Sequence, residues 1–246
     1  MLFRRKKKPA SVVYTTPSGQ VYDLFTDMVS QPHLLIAGAT GSGKSVLVNG
    51  LVTTLLYKSP ASCQFILIDP KGNELCDYEY LPHTINYSYM IDDCITSLEI
   101  ARDIMMKRFK TARADRVKEY KGSDIYVIID EFAELIAQRK KQTIPLVQSL
   151  CQLGRAARVH VILCTQCPTR DIIPTIIKCN IDSRVALRTA SAQDSRNILN
   201  MNGAETLPDP RAEHRAEGYY KHGCTIDRYN IPMYTDSERL VNYWTA

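Results

Sequence analysis

Short apolar runs recur along the chain and are separated by longer segments in which apolar and polar residues mix. Five of these runs consist mainly of Ile, Leu, Val and Ala, and we predict a β-strand for each: Leu34–Ala37, Phe65–Asp69, Ile125–Asp130, Val159–Thr165 and Arg184–Arg188. Nearly continuous apolar character marks a strand that is buried on both faces, as in a parallel sheet covered by helices. The pattern therefore predicts an α/β fold.

The segments between these runs have the length and composition of helices. We predict helices at Ser45–Tyr57, at about Asp92–Tyr120 and at Ile144–Ala157. Strands that alternate with helices build a mainly parallel, doubly wound sheet. Before the core, Val12–Thr15 and Val21–Phe25 flank a Pro-Ser-Gly sequence, which predicts a short β-hairpin.

Composition and length limit the domain organisation. Neither an internal repeat nor a Pro/Gly-rich linker divides the 246 residues, and a hydrophobic content of 45% excludes a disordered or fibrous protein. We expect a basic flexible tail at residues 1–10 and one domain at 11–246, and the formal net charge of +5 permits a polyanionic partner without requiring one. Within that domain the hairpin would occupy residues 11–25, the core about 32–205 and a C-terminal segment 206–246.

Membrane and cysteine patterns indicate the compartment. No apolar stretch approaches the roughly 20 residues of a membrane-spanning helix, so we expect a cytoplasmic protein without a transmembrane segment of its own. The chain has eight cysteines, several of them within apolar runs, which fits a reducing compartment. Cys164 and Cys167 form a Cys-x-x-Cys pair without a second pair, and we interpret Cys164 as part of a buried strand rather than as a zinc ligand.

The clearest chemical motif lies between the first core strand and the first predicted helix. The pattern G-x-x-x-x-G-K-[ST] is matched at every fixed position by Gly38, Ala39, Thr40, Gly41, Ser42, Gly43, Lys44 and Ser45. Its glycines let backbone N–H groups and the helix N-terminus face phosphates. We predict that these eight residues bind ATP, that Lys44 reaches the β- and γ-phosphates, and that the Ser45 hydroxyl ligates Mg²⁺.

Polar side chains end three further strands. We predict that Asp130, at the tip of a strand next to the P-loop strand, holds Mg²⁺, and that Glu131 orients and deprotonates the attacking water. Gln166 is predicted to sense the γ-phosphate or align water, with a capping hydrogen bond as the alternative. Asp69 is either structural or a contact to substrate.

With these motifs in place, the chain resembles the motor domain of the FtsK/SpoIIIE family of hexameric DNA translocases. The similar stretches are residues 32–45, 67–72, 129–135, 154–160, 176–181 and 194–196. The resemblance implies a RecA-like P-loop ATPase that uses ATP and Mg²⁺. In length the chain resembles small members of this family, carried by mobile elements, that consist of little more than the motor domain.

The resemblance also implies roles for three basic residues. Because the family binds ATP between subunits, Arg155 would act in trans on the neighbour's γ-phosphate; the alternative is an arginine that only favours the end of a helix. Lys178 and Arg196 would lie in two channel loops that contact the phosphates of double-stranded DNA, or they are solvated surface cations. The family usually has arginine where this chain has Cys167.

These expectations combine into a predicted function. We predict an ATP hydrolase that moves double-stranded DNA, as a homo-oligomer expected to be a hexamer, in DNA transfer or in segregation of a mobile element or chromosome. A membrane or relaxase partner protein could recruit it and associate it with a membrane. One alternative is an ATPase that couples a protein or relaxase–DNA substrate to a secretion or conjugation channel; another is a nucleotide-gated scaffold with little turnover.

Overall fold

A β-sheet of eight strands organises the fold, and the computed structural model describes residues 13–15, 21–213 and 216–231. A separate pair of strands precedes it. The strands are β1 (Val13–Thr15), β2 (Val21–Asp23), β3 (His33–Ala37), β4 (Cys63–Ile68), β5 (Thr84–Ser88), β6 (Asp124–Ile129), β7 (Val159–Thr165), β8 (Ser183–Leu187), β9 (Ala216–His222) and β10 (Thr225–Ile231).

Helices connect these strands and cover both faces of the sheet. They are α1 (Leu24–Ser30), α2 (Lys44–Lys58), α3 (Ile91–Ala114), α4 (Phe132–Leu153), α5 (Thr175–Lys178), α6 (Ala192–Leu199) and α7 (Pro210–Glu213). The strand order is β10-β9-β8-β3-β7-β6-β4-β5, with parallel pairing from β8 to β5 and antiparallel pairing of β9 with both of its neighbours. The predicted α/β fold with a mainly parallel, doubly wound sheet is confirmed.

Alternate residues of the central strands face two separate apolar layers. Leu34 of β3 belongs to a buried cluster with α1 and α2, whereas Leu35 belongs to a second cluster with α3 and α4. This follows from the period of two in a strand, which sends successive side chains to opposite faces. Each fully buried Leu, Ile or Val contributes roughly 1.5–3 kcal/mol, so the two layers fix the sheet and the loops at its edges.

The five predicted core strands are all present, and their bounds differ from the expected ones by no more than two residues. The predicted hairpin is present as antiparallel pairing between β1 and β2, while Val12 and residues 16–20 lie outside the described residues. One part of that prediction was wrong, because Leu24 and Phe25 begin α1 instead of extending the strand. The carboxylate of Asp23 accepts a hydrogen bond from Thr26 N at 3.0 Å and so caps a helix at this point.

Two predicted helices have different ends. The helix expected at Asp92–Tyr120 ends at Ala114, and Arg116 adopts a left-handed conformation with φ of 54°. The helix expected at Ile144–Ala157 begins at Phe132, bends at Arg139, where φ is −138°, and ends at Leu153. The last four expected residues, Gly154–Ala157, form a 3-10 turn.

The C-terminal part of the described chain extends the same sheet. No strand was predicted there, yet β9 pairs with β8, and β10 pairs with β9. Their alternating polar composition is typical of strands near the edge of a sheet. The expected basic tail at residues 1–10 and residues 232–246 lie outside the described residues. Within the described ranges, no helix is both long and apolar enough to cross a membrane.

Candidate active site

The predicted P-loop wraps around the N-terminus of α2 at the carboxyl end of β3. Gly43 caps the helix with φ of 95°, and Gly41 has φ of 76°, a region of backbone conformation that favours glycine. The loop is tied to the neighbouring strands because Gly38 N donates to Thr165 O and Ala39 N donates to Arg188 O, at 3.3 and 2.8 Å. The backbone therefore has the curled form that lets N–H groups face an anion.

Lys44 connects this loop to the predicted acidic pair. Its Nζ donates to the backbone carbonyl of Asp130 at 2.9 Å and lies 3.6 Å from Oδ1 of Asp130 and 3.6 Å from Oε2 of Glu131. Burial alone would lower the pKa of Lys44, but negative groups that include both carboxylates raise it above its ordinary value. Lys44 is therefore charged at neutral pH and correctly placed to meet a phosphate chain over the loop.

Glu131 is held in one orientation by several contacts. Its Oε1 accepts hydrogen bonds from Thr165 Oγ1 at 3.0 Å and from Gln166 N at 3.1 Å, and its Oε2 lies 3.4 Å from Lys71 Nζ. The carboxylate is only 2% exposed, so these contacts compensate a buried charge. These contacts fix both carboxylate oxygens of Glu131 next to Lys44 and Lys71.

Asp130 has the features of a ligand for a divalent cation. Its Oδ1 is buried and accepts no hydrogen bond from any residue that the structure describes, although Lys44 is close. Burial raises the pKa of Asp130 to about 6, Lys44 opposes this rise, and the nearby Asp69, Glu74 and Glu131 add to it. An excess of buried carboxylate favours a bound cation, and oxygen ligands are what Mg²⁺ requires. Asp130 and the half-buried Ser45 therefore fit Mg²⁺.

The strand that carries Asp130 is not adjacent to the P-loop strand. β7 lies between β3 and β6, which corrects the expectation of a neighbouring strand and places Thr165 and Gln166 between the P-loop and the acidic pair. Gln166 Oε1 accepts a hydrogen bond from Thr40 Oγ1 at 2.7 Å, while its backbone N–H contacts Glu131. Gln166 thus links the P-loop to the carboxylate of Glu131. Cys164 is buried within β7, as expected, and Cys167 is exposed.

The sequence allowed Asp69 either a structural role or a contact to substrate. In the structure, Asp69 stabilises the loop that follows β4. Its carboxylate accepts hydrogen bonds from the backbone N–H groups of Lys71, Gly72, Glu74 and Leu75 at 2.8–3.2 Å. These bonds fix the turn that presents Lys71 to Glu131. Lys71 was not among the predicted site residues, although it follows directly after a strand that ends at the same edge of the sheet.

A cavity of about 370 Å³ lies over the P-loop. It is lined by Ala39, Thr40, Gly41, Gly43, Lys44, Ser45, Val46, Lys71, Glu74, Asp130, Gln166, Pro210 and Arg211. Six of the predicted P-loop residues line it, together with Asp130 and Gln166. Arg211 was missed, because it lies in a segment without a recognised motif.

The three basic residues implied by the resemblance lie elsewhere. Arg155 is exposed in the turn before β7, whereas the P-loop follows the carboxyl end of the parallel strand β3. The seven residues of β7 separate the two by roughly 20 Å, at about 3.3 Å per residue. Arg155 is therefore on the opposite edge of the sheet from its own nucleotide cavity.

Lys178 and Arg196 are brought close to one another by α5 and α6. Lys178 is half-buried and its Nζ donates to the carbonyl of Asn197, and burial, then Arg184 and Arg170, lower its pKa. Arg196 is exposed and donates to Asn202 Oδ1 at 2.7 Å and to Gln193 Oε1 at 3.1 Å. Lys178 thus contacts the backbone of α6, whereas the guanidinium of Arg196 contacts Gln193 and Asn202 and is the more exposed of the two cations.

A P-loop at the end of one parallel strand, facing an Asp-Glu pair across an intervening strand, defines a P-loop nucleotide-binding α/β protein. The profile described as "FtsK/SpoIIIE family" matches residues 4–124 and 99–170. The chain therefore belongs to the FtsK/SpoIIIE family.

Curated relatives agree with this assignment. The chain is 36% identical to the DNA translocase FtsK of Shewanella oneidensis over 268 residues, covering 89% of this chain and 28% of the relative. It is 37% identical to DNA translocase FtsK of Haemophilus influenzae over 224 residues, covering 75% of this chain and 42% of the relative. The chain thus corresponds to less than half of the length of these relatives.

Solved structures share the fold. The cytoplasmic domain of the type VII secretion ATPase EccC from Thermomonospora curvata has a TM-score of 0.77 and 22% identity, over 97% of this chain and 32% of that one. The conjugation coupling protein TcpA of pCW3, in its monomer form with ATPγS, has a TM-score of 0.75 and 24% identity, over 96% of this chain and 70% of that one.

Proposed function

We propose that this chain binds and hydrolyses ATP with Mg²⁺ and uses the energy to move double-stranded DNA. The observation that carries the proposal is Glu131, a buried carboxylate oriented by Thr165 and Gln166 beside Lys44 of the P-loop. Membership of the FtsK/SpoIIIE family and identity to proteins named DNA translocase support the choice of DNA as the substrate.

The hydrolytic step follows from the positions of these side chains. The P-loop N–H groups and Lys44 would bind the phosphate chain, and Ser45 and Asp130 would hold Mg²⁺, which neutralises phosphate charge when bound. Glu131 would accept a proton from the attacking water, and Gln166 would register the γ-phosphate through its bond to Thr40.

We propose that a neighbouring copy completes the site with Arg155. Arg155 is exposed on the edge opposite its own cavity, so it cannot contact a nucleotide bound to the same chain. An arginine that stabilises transition-state charge from a neighbouring subunit typically accelerates hydrolysis by roughly 10³- to 10⁵-fold. The proposed assembly is a homo-oligomer, expected to be a hexameric ring, and a membrane or relaxase partner is a further candidate.

We also propose that residues 11–246 form one motor domain that works in the cytoplasm. The support is that β9 and β10 continue the sheet that carries the P-loop. The roles of Lys178 and Arg196 as contacts to DNA phosphates belong to the same proposal, and the support for them is that Arg196 is exposed and that Lys178 packs against the same helix, α6.

The first experiment measures steady-state ATP hydrolysis with and without long duplex DNA at several protein concentrations. DNA should stimulate turnover, activity per subunit should rise with concentration, and Glu131→Gln should abolish turnover while ATP still binds. Stimulation by a protein substrate with none by DNA would favour the secretion alternative. ATP binding with little turnover under all conditions would favour the scaffold.

Mixing two inactive variants tests the role of Arg155 in trans. A chain with Glu131→Gln still offers Arg155 to its neighbour, and a chain with Arg155→Ala still carries Glu131. If the arginine acts between subunits, the mixture regains activity that neither variant has alone. An absence of recovery in mixed oligomers would contradict the trans role. Lys110→Ala, which also removes an exposed cation, is the matched control for Arg155→Ala.

A further inference from the structure

Arg211 lies against the P-loop of its own chain. A β-carbon added to Gly41 would overlap Nη2, Nε and Cζ of Arg211, at nearly equal distances from all three atoms. Because the added β-carbon would be slightly nearer Nη2 and Nε than Cζ, the Nε–Nη2 edge of the guanidinium lies against Gly41.

Arg211 also borders the cavity that the P-loop residues line. Arg211 and Pro210 share this cavity of about 370 Å³ with Lys44 and Ser45. The side chain is exposed, whereas Pro210 before it is buried and fixes the path of the backbone.

A short series of contacts holds Arg211 at a set distance from the P-loop. Asp209 Oδ1 accepts a hydrogen bond from Arg211 N at 3.0 Å, and Asp209 Oδ2 forms an ion pair with Arg188 at 3.1 Å. The carbonyl of Arg188 accepts a hydrogen bond from Ala39 N at 2.8 Å. Arg188 therefore ties the turn that carries Arg211 to the loop that Arg211 covers.

The charges of the cavity indicate what Arg211 binds. Lys44 and Lys71 both lie within 3.6 Å of Glu131, so their charge is partly balanced by that carboxylate. Arg211 brings a further cation to the same cavity, next to Gly41. A guanidinium also matches two phosphate oxygens with parallel N–H donors, which an ammonium group does not.

We propose that Arg211 binds the phosphate chain of the nucleotide held by the P-loop of the same chain. The inference rests on the proposed function, in which this cavity binds ATP. Arg211 acts in cis and in the ground state, and its role differs from that of Arg155, which acts on a neighbour during hydrolysis. Stacking of Arg211 on the base is the rival arrangement that the test separates from this one.

The test measures the affinities of ATP, ADP and AMP at low protein concentration, with Mg²⁺ and without DNA, by competition with a fluorescent ADP analogue. Arg211→Ala should raise the Kd of ATP and of ADP about 10-fold or more, because it removes a charge-assisted hydrogen bond. The Kd of AMP, which has one phosphate, should change less than twofold. Arg211→Lys should recover part of the affinity, and Lys110→Ala should have no effect.

The outcomes separate this inference from the proposed function. Wild-type protein that binds ATP with an affinity unchanged in Arg211→Ala overturns the role of Arg211 alone. An equal loss of affinity for ATP and for AMP also overturns this role, and it would show that Arg211 contacts the nucleoside instead of the phosphate chain. Failure of the wild-type protein to bind ATP overturns both proposals. The unfolding midpoint of Arg211→Ala without nucleotide should match that of the wild type, because the side chain is exposed.

Discussion

Lys71 Nζ lies 3.4 Å from Oε2 of Glu131, and the Lys71 side chain is the partly exposed member of this pair. The turn built on Asp69 holds Lys71 in place, so the pair links the end of β4 to the end of β6. Glu131 is thereby contacted on one oxygen by two hydrogen-bond donors at the end of β7 and on the other by cations.

Loss of Lys71 should impair the chemical step more than nucleotide binding. We expect Lys71→Ala to lower kcat about 10-fold, because one orienting contact to Glu131 is lost, and to change the KM for ATP less than threefold. Steady-state kinetics over a range of ATP concentrations would measure both parameters. Lys71→Arg keeps the charge and should retain most of the activity, whereas an unchanged kcat in Lys71→Ala would show that Glu131 does not need this contact.

The central part of the fold was predictable from the sequence because of its burial. β3, β4, β6 and β7 are almost entirely apolar, and the polar residues at their ends mark one edge of the sheet. The pattern of residues was therefore sufficient to place the P-loop and the Asp130–Glu131 pair together.

Other elements lacked such a signal. β5 reads Thr-Ile-Asn-Tyr-Ser at the edge of the sheet, and β9 and β10 mix charged residues with tyrosines, so neither pattern was apolar enough to indicate a strand. Arg211 was missed for a different reason. Its place over Gly41 depends on the ion pair between Arg188 and Asp209 together with the hydrogen bond from Ala39 N to Arg188 O, which joins segments that are far apart along the chain.

His33 should make the stability of the protein depend on pH. It is 4% exposed, and its Nδ1 accepts a hydrogen bond from Val161 N at 3.1 Å, which requires the neutral ring. Burial, and then the nearby His160, lower the pKa of His33 from 6.5 to about 3. The unfolded chain therefore binds more protons than the folded chain between these two values, and stability present above pH 6.5 is lost as the pH falls.

His33 by itself should contribute a loss of about 2 kcal/mol in the free energy of unfolding between pH 7 and pH 5, from a slope approaching about 1.4 kcal/mol per pH unit. The raised pKa of Asp130 acts in the opposite direction over the same range, so the contribution of His33 has to be measured against a variant. Denaturant titrations at several pH values would measure it. In His33→Asn an amide oxygen can accept the same N–H bond without titrating, so the difference between the curves of the wild type and of His33→Asn isolates the contribution of His33 from that of Asp130. If the free energy of unfolding varied with pH in the same way in the wild type and in His33→Asn, His33 would not be the titrating group.

Arg108 supports the turn that carries Arg155. Its Nη1 donates to the carbonyls of Ala157 and Arg158 at 3.0 and 3.1 Å, and its guanidinium lies 4.7 Å from the centre of the Tyr120 ring. We expect Arg108→Ala to lower the free energy of unfolding by about 2–3 kcal/mol, since buried carbonyls lose a charged donor. Chemical denaturation would measure the loss.

The same helix offers a matched control for this change. Lys110 is exposed two residues further along α3, and Lys110→Ala should alter stability by no more than about 0.5 kcal/mol. If the turn at Gly154–Ala157 positions Arg155 for hydrolysis, Arg108→Ala chains should also fail to restore ATP hydrolysis when they are mixed with Arg155→Ala chains. Full stability in Arg108→Ala would show that water replaces the guanidinium without cost.

Arg196 and Lys178 should affect DNA binding in different ways. Arg196 is exposed, so Arg196→Ala should weaken binding to duplex DNA of any sequence and reduce the slope of log affinity against log salt concentration by about 1, with no change in thermal stability. Lys178 is half-buried on the Asn197 carbonyl, so Lys178→Ala should also lower the unfolding temperature. The two variants can be compared by fluorescence anisotropy at several salt concentrations. An unchanged salt slope in Arg196→Ala, while Lys110→Ala lowers it, would place the DNA on another face of the protein.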